Sequence, residues 1–230
     1  MTSLEECWNQ VIRAFGVRPQ QSFTELELFY PYVAQLKPRR ILEIGVECGG
    51  SLRFWINAAS DDALIIGIDN DPEIPSRVKI WSDWIRTGQE LVIINKDSRL
   101  PETLDAVKKV LKGEKLDFLF IDGNHEMPSP RIDYEFYAPL VREGGIIAFH
   151  DIGGPPECNC PSLRDFWYDL KQEIVRTTFW KTIEFFARHP ISGCSGIGVI
   201  IKEKPNINNL LKADTYVTVS YTHLTLPTKA

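Results

Sequence analysis

From Arg40 onward, short and nearly unbroken apolar runs alternate with stretches of helical spacing: 41–46, 63–69, 91–95, 116–122 and 145–151. Alternation of this kind is the pattern of βαβ units. The runs are continuously apolar rather than alternating apolar and polar, so both faces of each strand must be covered, as in a parallel sheet between two helix layers. Between two of them, Leu104, Val107 and Leu111 follow Pro101 at helical intervals. Ahead of the first run, Ser3 with Glu6 and Ser22 with Glu25 have capping-box spacing, which predicts helices over about 3–15 and 22–36. Pro31 falls inside the second and predicts a kink or restart there, and Pro38 ends it.

After Asp151 comes a loop rich in Gly, Pro and Cys, then a helical stretch at about 162–175. The runs WKTIEFF (180–186) and GIGVII (196–201) flank a turn-rich connection, and so short a link favours an antiparallel pair. The expected fold class is α/β: a doubly wound, seven-stranded, mostly parallel sheet with a C-terminal antiparallel hairpin. Its organisation reads as a helical cap over 1–38, a main domain over 39–203 and a tail over 204–230. Within the tail, YVTVSYTHLTLPTKA shifts abruptly toward Thr and is given no functional role.

Composition narrows the function classes. The 230 residues, 43% hydrophobic and 25% charged, suit one globular domain. With 26 basic against 31 acidic residues and a net charge of −5, a broad nucleic-acid surface or an anionic membrane partner is not expected. Five scattered cysteines (Cys7, Cys48, Cys158, Cys160, Cys194) point to a reduced compartment, and the Cys158–Cys160 pair lacks the other two ligands of a structural zinc site. The first ten residues carry acids where a signal peptide has bases, and no apolar run nears the ~18 residues of a membrane span, so a cytoplasmic location is expected.

The first strand ends in Glu43-Ile44-Gly45-Val46-Glu47-Cys48-Gly49-Gly50-Ser51, and the second in Asp69. Ligands of open α/β sheets bind beyond the carboxyl ends of the strands. A dinucleotide fingerprint needs a second glycine where Glu47 stands, and a carboxylate there would repel phosphate. The loop suits a phosphate-free, positively charged cofactor. Residues 43–51 resemble the E-I-G-x-x-x-G-G-S motif of class I S-adenosylmethionine-dependent methyltransferases. By that resemblance, Glu43, Gly45, Gly49 and Ser51 shape the amino-acid end of the cofactor pocket, Asp69 accepts the ribose hydroxyls, and Asp97 and Ser98 meet the adenine. Asp97 and Ser98 read equally well as an ordinary turn or helix cap.

Asp122-Gly123-Asn124-His125 and His150-Asp151 end the fourth and fifth runs and should gather at the same edge. The segment from Phe120 to Ile152 resembles the O-methyltransferase branch that includes macrolide and rhamnosyl O-methyltransferases and cephalosporin-hydroxylase-like proteins, with the likeness extending over about 38–202. This implies methyl transfer to a hydroxyl oxygen of a small molecule, a sugar or a natural product. His125 is the candidate base, since imidazole titrates near working pH, with Asp122 and His150 as further catalytic candidates. Asp122 and Asp151 offer hard oxygen ligands for Mg²⁺ or another divalent cation. Metal-using relatives carry an acid where this chain has His150, an imidazole better suited to transition metals. Adjacent strand residues point to opposite faces, so His150 and Asp151 share a site only if the chain turns, which Gly153 and Gly154 would permit.

Other readings stay open. Trp81, Trp84 and Arg86 either bind substrate or pack a helix. The loop over 153–162 has the composition of a lid. The N-terminal helices either cover the pocket or form a homodimer contact. Two rival functions are a non-haem iron oxygenase using His125, His150 and a carboxylate, and a catalytically silent module that only binds the cofactor.

Overall fold

Ser3 opens the first helix, α1 (Leu4–Phe15), by accepting the Glu6 amide on its side chain, and Gly16 closes it in the left-handed conformation. The structure, a computed structural model, describes residues 2–153, 161–186 and 195–203. The second helix, α2 (Phe23–Leu36), begins after Ser22 without a side-chain cap, and Glu25 turns into the protein interior instead of back toward Ser22. Pro31 does not restart the helix, which runs on to Leu36. Both Pro31 and Glu27, the residue whose carbonyl would accept the missing amide, lie on the exposed face, where solvent access lowers the cost of the lost hydrogen bond.

The βα alternation follows: β1 (Arg40–Ile44), α3 (Gly50–Ala58), β2 (Leu64–Asp69), α4 (Ile74–Ser82), β3 (Glu90–Asn95), α5 (Pro101–Leu111), β4 (Leu116–Ile121), α6 (Ser129–Tyr137) and β5 (Val141–Gly153). The chain then forms α7 (Pro161–Thr177), β6 (Lys181–Phe185) and β7 (Ser195–Ile201). The seven strands lie in the order β3-β2-β1-β4-β5-β7-β6, with the first five parallel and β7 antiparallel to both of its neighbours. Strand β7 rather than β6 takes the inner place beside β5. Its residues Gly196–Ile200 are buried, whereas β6 is mostly half-buried, so the more apolar strand occupies the position covered on both sides.

Alternate strand residues feed two separate cores. Ile41, Phe118 and Phe120 face Phe29 and Trp55 on the side of α2 and α3, where Trp55 meets Phe118 edge-on at 5.0 Å. Leu42, Leu119 and Phe149 face Val107, Tyr137 and Trp167 of α5, α6 and α7. Strand order reverses between β1 and β4, which opens a crevice at their carboxyl ends. Among the described residues no helix is long and apolar enough to cross a membrane. Of the expected lid over 153–162, Gly153 ends β5 and Pro161 and Ser162 open α7, while 154–160 with the Cys158–Cys160 pair, Cys194, and the 204–230 tail lie outside the described residues.

Candidate active site

Beyond β1 the chain turns through Gly45 at φ 86°, and a Cβ there would run into the backbone carbonyl of Asp122 at the end of β4. Glu47 also has positive φ, 47°, and is held by its amide donating to Asp69 Oδ2 at 2.8 Å. Gly49 caps α3, and a Cβ there would strike the Trp81 indole. Beneath the loop, the Ser51 hydroxyl donates to the fully buried Glu43 carboxyl, which burial pushes well above the ordinary carboxylate range. Glu43 therefore supports the loop from below through Ser51, and its burial disfavours the charged form.

Asp69 ties two loops together: Oδ2 accepts the Glu47 amide and Oδ1 the Asp71 amide at 2.9 Å. Each carboxylate oxygen retains a lone pair for a vicinal diol. If Asp69 holds the ribose, Asp69→Ala should weaken S-adenosylhomocysteine binding at least about tenfold, since hydrogen bonds to a charged group are the stronger kind. Calorimetry checks this, and unaltered affinity would remove the ribose role.

Asp97 and Ser98 follow β3. The Asp97 carboxylate is clasped by Arg99, through Nε at 2.9 Å and Nη2 at 2.6 Å, which holds it below its ordinary value. The Ser98 carbonyl accepts the Tyr137 hydroxyl at 2.7 Å, so this loop is locked onto α6. Behind it, burial raises the Asp133 carboxyl to about 6. Such a group is protonated in the folded state at pH values where the unfolded chain, near 3.8, has already ionised. Its penalty is absent below pH 3.8, grows as pH rises toward 6, and is complete above that. At about 1.36 kcal/mol per unit the full cost approaches ~3 kcal/mol. Asp133→Asn keeps an acceptor for Ser98 and should therefore stabilise the fold at pH 8 far more than at pH 4, as denaturant midpoints would show. Equal effects at both pH values would contradict a buried neutral acid.

Trp81, Trp84 and Arg86 all make packing or capping contacts within the fold. Trp81 is fully buried with Nε1 donating to the Cys48 carbonyl at 3.2 Å, and Trp84 meets Phe15 edge-on at 6.1 Å. The Arg86 guanidinium donates to the carbonyls of Ile56 and Ala59 at 2.9 and 2.6 Å, capping the end of α3.

The ends of β4 and β5 bring four ionisable side chains together. His125 Nε2 lies 3.4 Å from Asp122 Oδ1, and its Nδ1 lies 3.5 Å from Asp151 Oδ2. His150 Nδ1 lies 3.3 Å from both Asp122 Oδ1 and Asp151 Oδ1. His150 and Asp151 reach one site because β5 bulges between them and Gly153, with Asp151 in the left-handed region at φ 61°. The turn expected from the glycines thus falls on the aspartate itself.

Burial would raise the Asp122 carboxyl, but the two imidazoles outweigh it and hold it at about 2. Burial would lower both histidines, yet the surrounding carboxylates prevail: His125 is raised, and His150 lies well above its ordinary value. His125 is the more exposed imidazole, its side chain 26% accessible against 5% for His150. Asp122, His125 and Asp151 each offer a ligand atom, all within 4.8 Å of one another, whereas His150 is outside that group.

Two residues of this centre escaped the sequence reading. Gln21 Nε2 donates to Asp122 Oδ2 at 2.6 Å. Glu25, fully buried, faces His150 Nε2 at 3.6 Å and accepts the Gly196 amide at 3.0 Å, opposite the β5 bulge. A signal existed for Glu25: it shares a helix face with Phe29 and Val33, at intervals of four along the buried stripe of α2.

A reversing parallel sheet, a phosphate-averse glycine loop at its crevice and an acid ending β2 define a class I S-adenosylmethionine-dependent methyltransferase. Residues 42–152 match a family model described as a methyltransferase domain, and the chain is a methyltransferase of that class. It is similar to the O-methyltransferase TomG from Streptomyces achromogenes, involved in tomaymycin synthesis and solved in complex with SAM. That match has 16% identity and a TM-score of 0.64, covering 87% of this chain and 89% of that one. The O-methyltransferase from Bacillus cereus in complex with SAH matches at 19% identity and a TM-score of 0.58, covering 86% and 90%. At these identities the likeness shows the fold. No curated protein matches the sequence. The residues fit the cofactor: the cradle is closed to a Cβ at Gly45 and Gly49, and Glu47 and Asp69 supply negative charge without a phosphate site.

Proposed function

We propose that this methyltransferase acts on a hydroxyl oxygen of a small molecule, a sugar or a natural product, with His125 as the base. The cofactor, when bound, supplies an electrophilic methyl group on a sulfonium. The protein's part is to orient the acceptor hydroxyl and remove its proton, and no covalent intermediate with the protein is needed. The observation that supports this is the placement of His125 at the accessible side of the cluster, with each ring nitrogen facing a carboxylate. Those carboxylates stabilise the imidazolium that forms when the ring takes the proton. His150, buried among Asp122, Asp151 and Glu25, orients the two aspartates through its Nδ1, which lies 3.3 Å from an oxygen of each.

A second reading is favoured by the compact group of Asp122, His125 and Asp151. These residues would hold a divalent cation, and their mixed nitrogen and oxygen donors suit a transition ion better than Mg²⁺. The cation would make the acceptor hydroxyl more acidic. The methyltransferase domain leaves the iron-oxygenase alternative without support.

Incubation with methyl-labelled S-adenosylmethionine and a panel of hydroxylated sugars and natural products, with and without chelator, tests both readings. Label on oxygen in chelator supports His125 acting alone, and loss restored by a divalent cation supports the second reading. A protein that binds cofactor but labels no hydroxyl acceptor would contradict oxygen transfer and favour the silent module.

A further inference from the structure

Gln21 lies just before α2, is 7% exposed, and touches both halves of the crevice. Its Nε2 is committed to Asp122 Oδ2 at 2.6 Å. That bond fixes the amide's orientation, because a flipped carboxamide would set its oxygen against a carboxylate. The Oε1 atom must then point away from Asp122, and it is buried with no hydrogen-bond partner among the described residues. It lies 3.2 Å from where a side chain on Gly50 would begin, at the start of α3. Pro19 crowds the same point at 3.0 Å, so the glycine leaves just enough room for the N-terminal segment to reach the loop. A buried amide oxygen without a donor is unfavourable unless a ligand supplies one.

The donor's chemistry follows from position. Asp69, the ribose candidate, ends β2 on one side of β1, whereas Gln21 touches Asp122 at the end of β4 on the other side, next to the reaction centre. The part of S-adenosylmethionine that points away from the ribose is its amino-acid end, whose donor is the α-ammonium. We propose that Gln21 is a cofactor-binding residue whose amide oxygen accepts a hydrogen bond from that ammonium while its amide nitrogen holds Asp122. This rests on the methyltransferase reading and deepens it: the N-terminal segment is part of the cofactor pocket, and one side chain links cofactor loading to the placement of an acid in the reaction centre.

The test is calorimetric titration of the full chain, wild type and Gln21→Met, with S-adenosylhomocysteine and with its des-amino analogue. Methionine matches the length of glutamine but offers no amide. The expected result is at least about tenfold weaker S-adenosylhomocysteine binding in Gln21→Met, with the des-amino analogue bound within about twofold of wild type. Equal weakening of both ligands would mean that Gln21 only supports the loop and would overturn the proposal, as would unchanged affinity for both. If Gln21→Met does not fold, as judged by its thermal transition, Gln21→Asn carries the same comparison by withdrawing the amide one methylene. A folded wild type that binds neither S-adenosylmethionine nor S-adenosylhomocysteine would instead refute the methyltransferase reading, an outcome distinct from loss of discrimination between the two ligands.

Discussion

His125→Asn is expected to lower turnover by about 10²-fold or more while leaving S-adenosylhomocysteine affinity within about twofold. Asparagine roughly preserves the size and polarity of the side chain between Asp122 and Asp151 but cannot take a proton at neutral pH. The glycine loop and Asp69 do not include His125 among their hydrogen-bond partners, so a loss confined to turnover separates the base from the cofactor pocket. Measured methyl transfer under saturating cofactor, beside calorimetric binding, gives both quantities. An unchanged rate would remove His125 from the base role. Loss of affinity equal to the loss of rate would place it in cofactor binding instead.

Gly45→Ala should damage both stability and binding. Placing alanine at φ 86° costs about 1–2 kcal/mol by itself. The added Cβ would also meet the backbone carbonyl of Asp122. Backbone is a poor thing to displace here, because the Asp122 amide donates to the Ile44 carbonyl at 2.8 Å and the Gly45 amide to the Ile68 carbonyl at 2.9 Å. Relief would have to break the pairing of three strand ends at once. A total of about 3 kcal/mol or more is expected, which for a domain of this size lowers the melting temperature by roughly 6–12 °C. Binding of S-adenosylhomocysteine should fall below detection in the fraction that folds. A variant with wild-type melting and affinity would show that the turn tolerates a side chain and that Gly45 is not needed for close approach.

Much of this architecture could be read along the chain because its signals are local. Continuous apolar runs such as Leu116–Ile121 identify buried strands whatever lies around them, and Ser3 caps α1 as its spacing predicts. Ser22 and Glu25 have the same spacing and behave differently. The reason lies 171 residues away, where the Gly196 amide and the nearby His150 offer the Glu25 carboxylate better partners than its own helix terminus. Pro31 does not restart α2 for a related reason: whether a lost helical hydrogen bond ends a helix depends on which face meets water. The loop residues divide similarly. The sequence identified the turn at Gly45 and Gly49, but only packing showed that Glu43 is fully buried beneath the loop under Ser51 and that Arg99 engages Asp97.

By itself, then, the sequence determined the α/β alternation, the helix and strand identities, the phosphate-averse loop, and the presence of Asp122, His125, His150 and Asp151 at strand ends. These follow from periodicity, turn chemistry and charge within a few neighbouring residues. Only the tertiary structure decided that β7 lies inside β6, that a bulge turns Asp151 onto the same site as His150, and that Gln21 and Glu25 arrive from the N-terminal segment. Each depends on which strands lie side by side and on which buried polar groups find partners, and those are properties of the closed fold rather than of any stretch of chain.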